Sequence, residues 1–249
     1  MTYLWALYAR EVKRFQKLLL DTIMTPIVSM VLYLAVFGVV VGTKTIGDGV
    51  NYLAFIYTGL LGMIIINSSF ANPGFALIIA KNLGTMVDLQ LAPIKPWGIG
   101  IAYALAALTR GIVTLVIALL LTAWFVPGLN FQNPLLFLLV LFLSGMEYGM
   151  LGVIFGMWAK NFEALTFITT FILQPMIFLA GVFYPITNLP APWSTVSLFN
   201  PLHHNVNLFR YSTLGYSDVN PWLSLAIILG LNIILFVIMH ISTRRNIRA

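Results

Sequence analysis

Between Thr22 and Ser242 the chain carries six apolar runs, and nothing else in it limits the possible folds so severely. The runs are Thr22–Gly42, Tyr52–Asn72, Gly98–Val126, Pro134–Trp158, Ala164–Phe183 and Trp222–Ser242. At about 1.5 Å per residue, each reaches across a hydrocarbon core about 30 Å thick. Inside such a core the backbone must satisfy its own polar groups, so each run is predicted to be a helix. Composition agrees. Of the 249 residues 60% are hydrophobic and 8% charged, whereas a soluble domain carries about 25% charged residues. The expected fold class is an all-α polytopic membrane protein with six transmembrane helices. No polar stretch is long enough to build a second core, so 1–249 reads as a single transmembrane domain. Its parts are an interfacial helix (1–21), spans one to five (22–183), an outer segment (184–221) and span six with a basic tail (222–249). Trp97, Trp124, Trp158 and Trp222 stand at the ends of runs, where interfacial tryptophans belong.

The flanking segments supply orientation. Residues 4 to 20 read as an amphipathic helix, with Leu4, Tyr8, Val12, Phe15 and Leu19 on one face and Arg10, Lys13, Arg14 and Lys17 on the other. Such a helix lies in the membrane surface, as an anchor or with an added contact to a cytosolic partner. No short apolar core with a small-residue cleavage site follows its charges, so it is not read as a secretory signal. With the N-terminus inside, the inner side holds Arg10, Lys13, Arg14, Lys17, Lys81, Lys95, Lys160, Arg244, Arg245 and Arg248, and the outer side only Lys44 and Arg210. The positive-inside rule then places both termini in the cytosol. The net charge of +6 sits at the ends of apolar runs, which points to membrane lipids and not to nucleic acid. Thr43–Asn51 and Pro127–Asn133 become short outer loops and Lys160–Glu163 a tight inner turn. Tyr184–Pro221 is too apolar for a free loop and too broken by proline for a span. It either dips part-way into the outer leaflet as a re-entrant segment or folds on the outer surface.

The stretch Lys81–Trp97 is the longest inner connection, and it reads as a small capped helix. Thr85 stands three residues before Asp88, a weak capping-box pattern, Leu89 and Leu91 follow, and Pro93 and Pro96 end it. Two charges fall inside spans. Counting from the membrane surface puts Arg110 and Glu147 both at a depth of about 18–20 Å, on antiparallel neighbours. A lone charge there is costly, so an ion pair between them is expected. Its role is either to fix the register of two helices or to line a polar route for cargo. Gly145, Gly149, Gly152 and Gly156 fall within about 60° of one another on the fourth span, with Glu147 on the far side. This is a packing groove for a helix of the same or another subunit. His203 and His204 lack a third ligand beyond Asp218, which favours polar residues of a turn over a metal site. With no cysteine, disulfides, thiolate metal sites and cysteine nucleophiles are excluded. There is no Gly-Lys dipeptide and hence no phosphate-binding loop, and neither H-E-x-x-H nor G-x-S-x-G occurs. The chain is therefore not expected to be an enzyme.

The layout as a whole resembles the ABC-2 type permeases, the membrane subunits of bacterial ABC exporters. The likeness is sharpest at Val87-Asp88-Leu89-Gln90-Leu91-Ala92-Pro93, similar to the family's coupling helix, with Val87 where many relatives have a second acidic residue. It continues at Gly181-Val182-Phe183-Tyr184-Pro185, at Asn188-Leu189-Pro190 and at Asn200-Pro201-Leu202, similar to the end of span five and the outer re-entrant hairpin. The YadH-like branch looks nearest, and it is similar to nodulation-factor and daunorubicin export permeases. The resemblance implies two copies of the permease, as a homodimer, above two copies of a separate ABC ATPase subunit in the bacterial inner membrane. It implies no cofactor in this chain, with ATP and Mg held by the partner. The contact with that ATPase would fall on Asn82, Thr85, Asp88, Leu89 and Leu91, on Lys160, Phe162 and Glu163, and on Arg10 and Arg14. Tyr184, Pro185, Asn200, Pro201 and His203 would shape the outer segment. A largely apolar interior suits a lipid, glycolipid or hydrophobic drug as cargo. The rival reading, an ion-driven secondary transporter, would favour inverted repeats and midplane carboxylates, of which only Glu147 qualifies.

Overall fold

The computed structural model describes residues 2–17, 19–41, 44–46 and 49–248. Leu18 of the expected N-terminal helix, Gly42 at the end of the first expected span and Thr43 at the start of the first outer loop lie outside these. The described chain is helical almost throughout: α1 (Thr2–Gln16), α2 (Leu19–Val41), α3 (Tyr52–Asn82), α4 (Met86–Leu91), α5 (Pro96–Thr122), α6 (Pro134–Trp158), α7 (Phe162–Phe167), α8 (Gln174–Phe178), α9 (Trp193–Leu198), α10 (Pro201–Leu214) and α11 (Pro221–Arg248). Strands β1 (Thr45–Ile46) and β2 (Val50–Asn51) pair antiparallel between α2 and α3. Among the described residues, four helices, α3, α5, α6 and α11, are long and apolar enough to cross a membrane. Two shorter apolar stretches, Ile23–Gly38 and Phe162–Phe178, stand where the first and fifth runs were expected. The fold is that of an all-α polytopic membrane protein.

Several boundaries differ from the sequence reading. The amphipathic helix stops at Gln16, and Leu19 and Leu20 belong to the next helix. The second span continues through Pro73 to Asn82 instead of ending at Asn72. The last runs to Arg248 and not Ser242. The fifth is broken: α7 widens into a π-helical turn over Ile168–Leu173 and α helix resumes at Gln174. Pro175 follows directly and has no N–H to return to the carbonyl of Phe171, so the ladder must be re-made there. Regular helix then ends at Phe178, short of the expected Phe183, where Gly181 turns the chain at φ 78°.

Helix α3 is apolar on all sides and occupies the centre, packed by α5, α6 and α10. The glycine stripe of α6 explains how close these helices come. A Cβ on Gly149 would sit 3.1 Å from Ala104 Cα of α5, and one on Gly156 would sit 2.9 Å from Gly74 Cα of α3. One on Gly152 would run into the Phe70 carbonyl oxygen, and one on Gly145 into Leu108. The groove is therefore filled within the chain. A smaller apolar cluster of Leu7, Leu77, Leu89, Ile99, Tyr103, Met157, Met239 and Ile247 gathers α1 and α4 onto one end of the bundle. At the opposite end α10 is buried among α3, α6 and α11, so the broken segment folds inward and is not a surface loop.

Candidate functional site

At the α4 end, one carboxylate organises the basic helix. Glu11 lies on the buried face of α1, where Arg10 meets it at 3.2 Å and Arg14 at 2.9 Å. The same two arginines reach into the bundle. Arg10 Nη2 donates to the Tyr103 hydroxyl at 3.2 Å, and Arg14 Nη2 donates to Asn72 Oδ1 at 3.3 Å. Tyr8 and Thr109 hydroxyls share a hydrogen bond of 2.9 Å. So α1 is bolted to α3 and α5 by its charged side as well as its apolar one. Arg10 and Arg14, expected to face a partner, are engaged inward, although both still border a cavity of about 410 Å³ together with Lys13, Lys17, Thr85 and Asp88. Glu11 was missed in the sequence, where its place on the inner face of α1 was visible only as a helical-wheel position.

The short helix between the second and third runs begins at Met86, and Asn82 still belongs to α3. Thr85 does not cap it; its hydroxyl donates to the Ala80 carbonyl at 3.4 Å. Leu89 is 3% exposed and anchors the helix in the inner apolar cluster, so it is no contact for another protein. Leu91, at 79% exposure, points away, as do Leu83, Val87, Asn82, Thr85 and Asp88. Lys81 fixes this edge to the next one. Its ammonium donates to the carbonyls of Gly156, Met157 and Ala159 at 2.9, 2.6 and 2.8 Å, satisfying the carbonyls that the end of α6 leaves open. Directly beyond lies the turn with exposed Lys160, Phe162 and Glu163. Asn161 caps α7 through the Ala164 amide at 3.0 Å, and Phe162 stacks on Phe75. The α4 ledge and this turn thus share one end of the molecule.

Arg110 and Glu147 do not form the expected ion pair. Gly145 and Gly149 of α6 meet α5, and Glu147 stands two residues, about 200° of helical rotation, from Gly145. It therefore points away from α5, towards α10. There its Oε2 accepts from Asn205 Nδ2 at 3.2 Å; that amide is also 3.5 Å from the Tyr148 hydroxyl, and Asn205 Oδ1 is bonded by Ser144. Arg110 faces the other way, into a cleft of about 410 Å³ between α2 and the α7–α8 stretch, backed by α3. Leaving a charge unpaired at such a depth costs at least about 2.5–3.5 kcal/mol on insertion scales. The glycine stripe marks a packing face of α6 opposite Glu147, but not which helix fills it.

The outer segment is held by buried polar side chains. Asn200 caps α10 by accepting from the Leu202 amide at 3.1 Å, with Pro201 as its first helical residue, and donates to the Met176 carbonyl at 2.6 Å. Tyr184 donates to the Phe178 carbonyl at 2.7 Å, and Pro185 opens a short 3₁₀ turn. His203 Nδ1 donates to the Ala180 carbonyl at 3.1 Å, and His204 lies between Leu198 and Ser224. Burial pushes both imidazoles below the ordinary histidine value, so they stay neutral. Arg210, expected as an outer-surface cation, is fully buried. It pairs with Asp218 at 3.2 Å, donates to the Gly181 carbonyl at 2.8 Å, and sits 3.5 Å from the Phe55 ring centroid. It ties the turn after α8 to α10 and α3.

A helical bundle with a small ledge at one end and a tightly fastened inward fold at the other defines a polytopic membrane protein. Comparison with known proteins makes the class specific: residues 2–214 match the ABC-2 type transporter family, and the chain belongs to it. It is 32% identical over 216 residues to the inner membrane transport permease YadH of Escherichia coli (strain K12), covering 86% of this chain and 84% of that one. It is 26% identical over 257 residues, 97% and 94% of the two chains, to nodulation protein J of Rhizobium leguminosarum bv. viciae. A third relative, nodulation protein J of Rhizobium meliloti (strain 1021), is 26% identical over 225 residues, 84% and 80% of the two chains. The chain is thus a multi-pass inner-membrane permease of an ABC transporter, of the YadH-like branch, and the family implies an ABC ATPase subunit as its partner.

Proposed function

We propose that this permease exports a lipid-like, glycolipid or hydrophobic cargo from the cytoplasm or inner leaflet, with six crossings and both termini in the cytosol. It acts as a homodimer on two copies of the separate ATPase, which hold ATP and Mg. The observation that carries the reading is the α4 ledge. A six-residue helix is anchored by one buried leucine, Leu89, while Leu83, Val87 and Leu91 stand exposed around Asp88 beside the Lys160–Glu163 turn. Apolar side chains at a polar end need a cover, and a docked ATPase supplies one. Motion of that subunit would enter through α4 and pass by Leu89 into the cluster joining α1, α3, α5 and α11. Arg10 and Arg14 act in this scheme by fixing α1 to the bundle, so that it moves with α3 and α5.

The test is ATP hydrolysis by the purified complex in nanodiscs. Candidate lipids and glycolipids are expected to stimulate it several-fold, and Leu91→Asp to abolish the stimulation while the permease still folds. Stimulation by water-soluble sugars alone would overturn the cargo class. Transport by the chain on its own down a proton or sodium gradient would overturn the whole reading.

A further inference from the structure

The cleft that receives Arg110 is not explained by packing. Its walls are Thr25, Ser29 and Met30 of α2, Leu60, Met63, Ile64, Asn67 and Ser68 of α3, and Thr169 and Gln174 opposite. Arg110 Nε is buried with no hydrogen-bond partner, and among the described residues Arg110 makes no ion pair. Among the described residues the charged side chain whose field reaches it is Arg14, a like charge. A guanidinium so placed lacks an anion, and the described residues supply none.

The lining is also ordered along the helices. On α3 the apolar Leu60, Met63 and Ile64 come before Asn67 and Ser68; on α2, which runs the other way, Thr25 and Ser29 come before Met30 and Tyr33. Both walls therefore place polar residues towards the α4 end, near Arg110, and apolar ones towards the α10 end. The cleft matches an amphiphile with its charged head at Arg110 and its chain along Met30, Leu60 and Met63. With the α4 end in the cytosol, this is the direction in which an inner-leaflet lipid already lies. About 410 Å³ is within the range of small-ligand sites of about 300–1,000 Å³ and takes a headgroup with the start of a chain.

We propose that this cleft binds an anionic amphiphile, a phosphate or carboxylate head on a hydrocarbon tail, and that Arg110 is the residue that binds the head. The inference rests on the reading of the cargo as lipid-like and narrows it to acidic headgroups. The guanidinium offers paired donors to either oxyanion, and a water-poor site strengthens the contact.

Equilibrium binding to the purified permease–ATPase complex in a neutral maltoside detergent tests it, with dodecyl phosphate, dodecanoate, dodecylphosphocholine and inorganic phosphate as probes. At least one of the first two is expected to bind about ten-fold more tightly than the zwitterion, and which of them does identifies the head. Arg110→Gln should erase that preference and Arg110→Lys should keep part of it. A preference that survives in folded Arg110→Gln would overturn the proposal and point to the basic cluster on α1. Inorganic phosphate binding as tightly as dodecyl phosphate would overturn the amphiphile. Should Arg110→Gln fail to fold, Met63→Trp decides, since it fills the tail region with Arg110 intact: weaker binding of the anionic probe supports the site, and unchanged binding overturns it. Binding at Arg110 without any stimulation of ATP hydrolysis would leave this site standing while the exporter reading falls.

Discussion

Arg210 carries a charge into a fully buried position, where Asp218, the Gly181 carbonyl and the face of Phe55 meet the guanidinium and only Nε is left without a hydrogen-bond partner. Removing one member of such a buried pair leaves the other charge uncompensated, at about 3–5 kcal/mol, whereas removing both together is far cheaper. Arg210→Met is therefore expected to destabilise the protein by about that amount, and Arg210→Met with Asp218→Leu to recover most of the loss. Denaturant unfolding in detergent measures both; additive losses would mean that the pair is not coupled. Little of this was legible in the sequence, where Arg210 reads as an outer cation eight residues from an acid. Its burial follows only once α10 is folded inward, which no local pattern announces. Arg110 and Glu147 make the same point from the other side. Depth came from counting residues, but direction around the helix depends on which face packs, and that separates them.

At the scale of elements, the apolar runs announced the long helices, while details that depend on neighbours stayed hidden. The second run reads as ending at Asn72, directly before Pro73, yet α3 continues through the proline, held by α6 across Gly152 and Gly156. The glycine stripe itself was visible, and its partner was not. A side chain at Gly152 meets the Phe70 carbonyl oxygen and Pro73, which cannot step aside, whereas at Gly145 it meets the movable end of Leu108. Gly230 of α11 has open space around its Cβ direction. Gly152→Ala is accordingly expected to cost about 1–3 kcal/mol through forced separation of α3 and α6. Gly145→Ala should cost less and Gly230→Ala almost nothing. Thermal midpoints of the three variants check the order, and an equal effect at Gly152 and Gly230 would show that close approach is not what the stripe provides.

For the molecule as a whole, the quantity that organises everything is which end faces the cytosol. The sequence answered through its basic residues, and two of the structure's findings bear on how strong that answer is. Arg210 is internal and no longer counts as an outer charge, and Lys81 is occupied in closing the end of α6, so its position reflects helix capping as well as charge bias. Neither change alters the sign: Lys13, Lys17, Lys95, Lys160, Arg244 and Arg245 remain at the α4 end. The chain has no cysteine, so single cysteines report sidedness without any background. Gln90 and Lys160 are exposed at the α4 end, and Asn130 and Thr195 are exposed at the other. In intact cells a membrane-impermeant maleimide is expected to label Asn130→Cys and Thr195→Cys, and to reach Gln90→Cys and Lys160→Cys only after the membrane is opened. The reverse pattern would set the α4 ledge outside, where no ATPase could dock on it, and would turn the headgroup end of the Arg110 cleft towards the outer leaflet. Labelling at all four positions in intact cells would mean that the bundle does not hold one orientation.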